Sequence, residues 1–157
     1  MVRHSQPIPK IRKSGLKAEF CPMTQLFTAG LLIIRNRQLL LAYSSRKQCY
    51  YLPGGKLDAG ESAAEALCRE AAEELNIHLH PDELHFYTHI TAPAYGEATG
   101  TIMEQDCFRI LKPVQPLATA EIEKIDWFTS SSYAREVQQA PGAVMILAKL
   151  KADNLID

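Results

Sequence analysis

Three glutamates, Glu70, Glu73 and Glu74, stand at i, i+3 and i+4 in the stretch 62–75, which is rich in Ala, Leu, Glu and Arg. These are strong helix formers. On a helix, side chains at that spacing have Cβ atoms about 5–6 Å apart, so the three carboxylates crowd one stripe and repel one another. They also lie toward the negative end of the helix dipole. A hard divalent cation relieves both costs. Carboxylate oxygens suit Mg²⁺ or Mn²⁺, which favour octahedral geometry and keep waters that substrate phosphates can replace. Taken alone, such a run is no more than a solvated helix face.

Its surroundings change that estimate. Ser62 stands at the N-cap position and Glu65 three residues on, the pattern of a capping box. Asn76 falls where a left-handed residue ends a helix. Projected at roughly 100° per residue, Ala64, Leu67, Cys68, Ala71 and Leu75 form a stripe that should face a core. Gly54-Gly55 precedes the helix and frees the backbone for conformations closed to other residues. The window Gly55–Ile77 resembles the Nudix box, G-x5-E-x7-R-E-U-x-E-E-x-G-U, where U is a bulky aliphatic residue. Gly55, Glu61, Arg69, Glu70, Glu73, Glu74 and Ile77 match in register, and Leu52-Pro53-Gly54 resembles the family's lead-in. Ala71 departs from a larger aliphatic, and Asn76 replaces the box glycine.

This resemblance implies an α/β fold, a Nudix-type α/β/α sandwich on a mixed β-sheet, with the box as loop–helix–loop. It implies Mg²⁺-dependent (or Mn²⁺-dependent) cleavage of a diphosphate linkage in a nucleoside di- or triphosphate or a modified nucleotide. ADP-ribose, nucleotide sugars or dinucleoside polyphosphates are the alternative substrates, and a non-catalytic nucleotide-binding regulatory module is the alternative class. Carried over by position, Glu70 and Glu74 are metal ligands, with Glu73 and the carbonyl of Gly54 or Gly55 beside them. Glu70 or Glu73 would accept a proton, and Arg69 would orient a glutamate by pairing with Glu61. Lys56 would meet a phosphate and Tyr95 the rest of the substrate. Gly55, Glu61 and Asn76 would be structural. Family members differ in their base, so Glu97, Glu104, Glu121, Glu123 and Asp126, all outside the box, are further candidates. Tyr50, Tyr51, Phe86, Tyr87, Tyr95 and Trp127 are the aromatics available to stack a base.

The elements that must hold this window are legible in outline. Residues 27–34 and 39–43 read as strands joined across Arg35-Asn36-Arg37-Gln38 into a hairpin. Residues 50–52, 84–91, 102–111 and 122–128 read as further strands. The segment 92–100, with Pro93, Gly96 and Gly100, reads as a loop. Residues 130–138 and 143–151 read as helices, the second preceded by Pro141-Gly142. Strands in runs with a helix between them point to a layered α/β domain. The expected organisation is a flexible basic arm over 1–18 and one hydrolase domain over 19–157.

Composition sets outer limits. An apolar fraction of 46% supports a core in one domain of 157 residues. A net charge of −1 argues against a broad positive field for nucleic-acid polymers or membrane surfaces. Cys21, Cys49, Cys68 and Cys107 include no C-x-x-C pair, so thiols in a reducing cytoplasm are expected rather than a zinc site. No apolar run reaches the roughly 20 residues of a membrane span. The expected partner is a small nucleotide; a homodimer is left open.

Overall fold

The computed structural model describes residues 22–157; the basic arm and Cys21 lie outside them. The apolar stretch after Met23 forms β1 (Thr24–Leu32), whose burial deepens from its exposed start to the fully buried Leu31 and Leu32. The chain then makes a short ribbon of β2 (Ile34–Arg35) and β3 (Gln38–Ser44), followed by β4 (Cys49–Tyr51) and β5 (Gly54–Lys56). Helix α1 (Ala63–Leu75) follows. A single 3₁₀ turn at Pro81–Glu83 leads into β6 (His85–Pro93) and β7 (Thr101–Arg109). The chain closes with β8 (Ile122–Phe128), the one-turn α2 (Ser130–Tyr133) and α3 (Pro141–Ala152).

The strands form two sheets. One runs β5-β1-β7-β6, with β1 and β7 parallel and the other pairs antiparallel. The other runs β2-β3-β4, with β8 on β3. Helix α1 covers the mixed sheet: Leu67, Ala71 and Leu75 pack with Ala29, Leu31 and Leu40. Helix α3 closes a second core, in which Ile146, Leu147 and Leu150 pack against Leu39, Leu41 and Phe128. The expected mixed sheet and flanking helices are present.

Several expected boundaries move. The hairpin over 27–43 is real only at Ile34–Leu39, where Asn36 (φ 49°) and Arg37 (φ 60°) make a two-residue turn with both central residues left-handed. At Ile33 the chain leaves the mixed sheet for the other, so β1 and β3 never pair. Arg37 is held in its uncommon conformation by hydrogen bonds to Asp157, to Asn154 and to the Ile156 carbonyl. The helix expected over 130–138 stops at Tyr133. Its buried hydroxyl donates to the Tyr50 carbonyl (2.7 Å) and accepts the Ala140 N–H (2.9 Å), and Gln139 bridges to Tyr50, so the backbone after Tyr133 is drawn to β4. Helix α3 begins at Pro141 itself, in the first turn where proline lacks only a hydrogen bond that would not form anyway. Pro93 belongs to β6, which leaves 94–100 as the loop. On α1, Ala66 is fully buried while Ala64 and Cys68 are half-buried.

Candidate active site

Helix α1 begins and ends as its sequence dictates. Ser62 Oγ accepts the Glu65 N–H and Glu65 returns a bond to the Ser62 N–H, closing the capping box. Asn76 ends the helix in a left-handed conformation (φ 53°). Carbonyls of the last turn would lack partners. The Leu117 and Thr119 N–H groups reach the Leu75 and Glu74 carbonyls at 2.9 Å, and the Thr119 hydroxyl donates to the Glu73 carbonyl. That docking brings Glu121 to the site.

Glycines bring backbone to the carboxylates. Gly54 (φ 134°) lies so close to β1 that a Cβ there would stand 2.0 Å from the Ala29 carbonyl oxygen. Its N–H donates to Glu74 Oε2 at 2.9 Å. A Cβ on Gly55 would stand 2.5 Å from Glu70 Oε1. The two glycines therefore allow β5 to run directly over two glutamates.

The three glutamates do not share one environment, contrary to the expectation of a common stripe. Glu74 is 2% exposed. Burial pushes its carboxyl up to about 8, the Gly54 N–H partly opposes this, and the charges of Glu70, Glu121 and Glu73 reinforce it. Glu70 is half-buried and also raised by burial, against the pull of Arg69. Glu73 points outward with its side chain 56% exposed; its nearest cation is Arg69 at 3.7 Å, and it does not line the cavity described below. The helix rotates Glu74 under β5 and leaves Glu73 in solvent.

Arg69 occupies the orienting position. It donates to both oxygens of Glu61 at 2.9 Å, to Glu70 at 2.7 Å and to the Lys56 carbonyl at 3.2 Å. A bidentate guanidinium–carboxylate pair fixes both partners. With Arg69 and the Asp58 N–H as donors, the Glu61 carboxyl is lowered to about 2. Asp58, given no role from sequence, stands 3.5 Å from Arg69.

A cavity of about 250 Å³ opens beside these groups. Glu70, Glu74, Gly54 and Gly55 form one end, and Lys56 and Tyr95 line it as expected. Of the carboxylates outside the box, Glu97 and Glu121 line it; Glu104, Glu123 and Asp126 do not. Glu104 is instead bound to His89 and Thr91. Of the aromatics, Tyr51 and Tyr95 line the cavity. Tyr50 is core, Phe86 is 61% exposed, and Trp127 stacks under Arg35. Sequence reasoning missed Thr28 and Gln105, both buried and both lining the cavity. Only their side-by-side register on β1 and β7 could have signalled them.

The donor set suits a hard divalent ion: Glu70, Glu74 and Glu121 all line the cavity, and the Glu74 carboxyl, raised first by burial, is raised further by the charges of Glu70 and Glu121. Among the described residues no three His, Cys, Asp or Glu side chains converge into a ready-made cage. That is consistent with Mg²⁺, which binds through one or two carboxylates and takes its remaining ligands from water and phosphate. No helix among the described residues is long and apolar enough to cross a membrane.

The model of the NUDIX domain matches residues 24–148. The human 8-oxo-dGDP phosphatase NUDT18 is 38% identical over 58 residues, which is 35% of this chain and 18% of that protein, so the match spans under a fifth of the relative. The MutT protein from Methanosarcina mazei Go1 superposes with a TM-score of 0.67 at 17% identity, covering 85% of this chain and 98% of that one. A bifunctional NMN adenylyltransferase/ADP ribose pyrophosphatase from Francisella tularensis, complexed with AMP and a manganese ion, superposes with a TM-score of 0.61 at 25% identity. That superposition covers 88% of this chain and 44% of the other.

Proposed function

Since the chain belongs to the NUDIX domain family, we propose that it is a divalent-metal-dependent hydrolase of a diphosphate linkage in a nucleoside di- or triphosphate, including base-modified forms. The observation that carries this reading is the hydrogen bond of the Gly54 N–H to Glu74 and the close approach of Gly55 to Glu70 beside one cavity. The human relative, an 8-oxo-dGDP phosphatase, supports a nucleotide substrate.

In this proposal Glu70 and Glu74 would hold Mg²⁺, with Mn²⁺ as a substitute and Glu121 beside them in the cavity lining. When bound, the ion supplies positive charge that offsets the charge developing on the diphosphate oxygens. Arg69 holds Glu70 in place by donating to its Oε1. Lys56 lies 3.2 Å from Glu97 and exchanges that partner for a substrate phosphate. Glu97, so released within the cavity, accepts the proton of the attacking water. Glu73, given a metal-binding and a catalytic role from sequence, sits outside the cavity and acts at most through Arg69.

The test is turnover of a nucleoside di- and triphosphate panel with Mg²⁺ or EDTA, scored by released phosphate or pyrophosphate. Magnesium-dependent release that Glu74→Gln abolishes supports the reading. Binding of a nucleotide without any release points instead to a regulatory module.

A further inference from the structure

Across the parallel pair β1–β7, Thr28 and Gln105 are register partners, and both side chains face the cavity. Thr28 is 7% exposed, and its hydroxyl is the one buried side-chain polar atom without a hydrogen-bond partner among the described residues. Gln105 is 6% exposed. Its oxygen accepts only a weak contact from Cys107 Sγ at 3.8 Å, and no described residue receives its Nε2 hydrogens. The amide is seated over Gly30, where a Cβ would stand 2.9 Å from Gln105 Cδ. A buried hydroxyl left unpaired costs about 1–3 kcal/mol, so its presence calls for an explanation.

The location supplies one. Beyond Gln105 lies a smaller recess of about 70 Å³, reaching α3 at Gly142 and Ala143. Lys47, Tyr51, Leu52, Tyr95, Met103 and Gln105 line both spaces, with the Lys47 ammonium over one face of the Tyr51 ring. Carboxylates stand at one end; at the other, flat or soft apolar side chains and the Lys47 stem surround a polar floor. That is the arrangement a flat heterocycle needs: apolar faces to stack on and a donor–acceptor pair at its edge. A primary amide offers both an acceptor and donors in one plane and pairs bidentately with an adjacent donor–acceptor edge, as on adenine N6/N7.

We infer that Gln105 and Thr28 are specificity-determining residues that hydrogen-bond the edge of the nucleobase while Tyr51, Tyr95 and Met103 hold its faces. This assignment rests on the nucleotide hydrolase reading above. Because the two residues contact the base rather than the diphosphate, they govern which nucleotide is taken and leave the bond-breaking end untouched.

The variants are Gln105→Met and Thr28→Val, both close in size to the originals. Each is assayed for kcat and KM on ADP, GDP, CDP and UDP and on ribose 5-diphosphate, which has no base. Free adenosine and guanosine are titrated separately by calorimetry. The expected result is a fall in kcat/KM of roughly 10- to 100-fold for the preferred nucleotide in Gln105→Met. The fall appears mainly in KM, differences among bases shrink, and ribose 5-diphosphate changes less than twofold. Thr28→Val should weaken the preferred nucleotide while raising Tm by about 2–4 °C, since it removes an unsatisfied hydroxyl. Equal losses on base-bearing and base-less substrates, or no loss on either, overturn the inference and leave the hydrolase reading standing. Nucleoside binding that Gln105→Met abolishes in a wild-type protein that hydrolyses none of these diphosphates supports the inference and overturns the hydrolase reading. Absence of both binding and turnover overturns both.

Discussion

The two ends of the cavity are built in opposite ways. The carboxylate end comes mainly from one short segment: β5, the loop after it and α1, joined by Arg69–Glu61 and Gly54–Glu74 and by the close approach of Gly55 to Glu70, with Glu97 and Glu121 added from elsewhere. The recess comes from elements remote in sequence, with Tyr51 on β4, Pro93 on β6, Met103 and Gln105 on β7, and Gly142 on α3. A local segment carries its chemistry wherever the chain carries it. An assembled recess exists only once the sheets have paired, so its residues vary without disturbing the chemistry. Damage at the first end should remove turnover of every substrate; damage at the second should change preference or stability.

The largest effect is expected from Glu74→Gln and Glu70→Gln. Each should lower kcat by about 10²- to 10³-fold in steady-state assays with Mg²⁺, while Glu73→Gln should stay within about tenfold of wild type. Equal losses at all three positions would break the distinction drawn from Glu73's exposure. Next is Gly55→Ala. Its Cβ would displace the Glu70 carboxylate, so a loss of up to about 10²-fold is expected, with a near-normal melting temperature by circular dichroism. At the recess end, Tyr133→Phe leaves the Ala140 N–H without its partner and the Tyr50 carbonyl with only the weak Cys49 Sγ donor. Chemical denaturation should record a loss of about 1–3 kcal/mol.

A pH effect separates the ends further. The Glu74 carboxyl is raised from 4.5 to about 8 in the folded chain, so the folded state binds the extra proton between those values. Stability without metal should therefore fall as pH rises from about 4.5 to 8. Thermal melts in EDTA should show this slope, with Glu74→Gln flattening it and Mg²⁺ reversing it at pH 8. Recess variants should leave the slope unchanged. The smallest effect is expected from Asn76→Gly, which relieves a left-handed side chain at φ 53° and should add roughly 0.5 kcal/mol with no change in turnover.

What could be foreseen divides along the same line. The capping box of Ser62 and Glu65, the end at Asn76 and the Arg69–Glu61 pair were legible because each joins residues within a few turns of one helix. That Glu74 is buried and Glu73 wet was not legible, because the difference is made by Gly54 on a separate strand. The hairpin was misjudged for a related reason: the apolar, partly β-branched runs in 27–43 signal strands, while nothing local says that the chain changes sheets at Ile33. Thr28 and Gln105 had no local signal at all, since parallel pairing of β1 with β7 is a property of the whole topology.

Strand β1 joins the two ends. Thr28 is opposite Lys56 on one side and Gln105 on the other. Neighbouring strands stand about 4.7–4.9 Å apart, so Lys56, proposed to meet the phosphate, and Gln105, proposed to meet the base, are set two strand spacings apart, roughly 10 Å between backbones. The sheet thus acts as a caliper whose opening is fixed by hydrogen bonding rather than by side-chain choice. Substitutions can change what each jaw grips, but only a slip of register would change the length of molecule it measures.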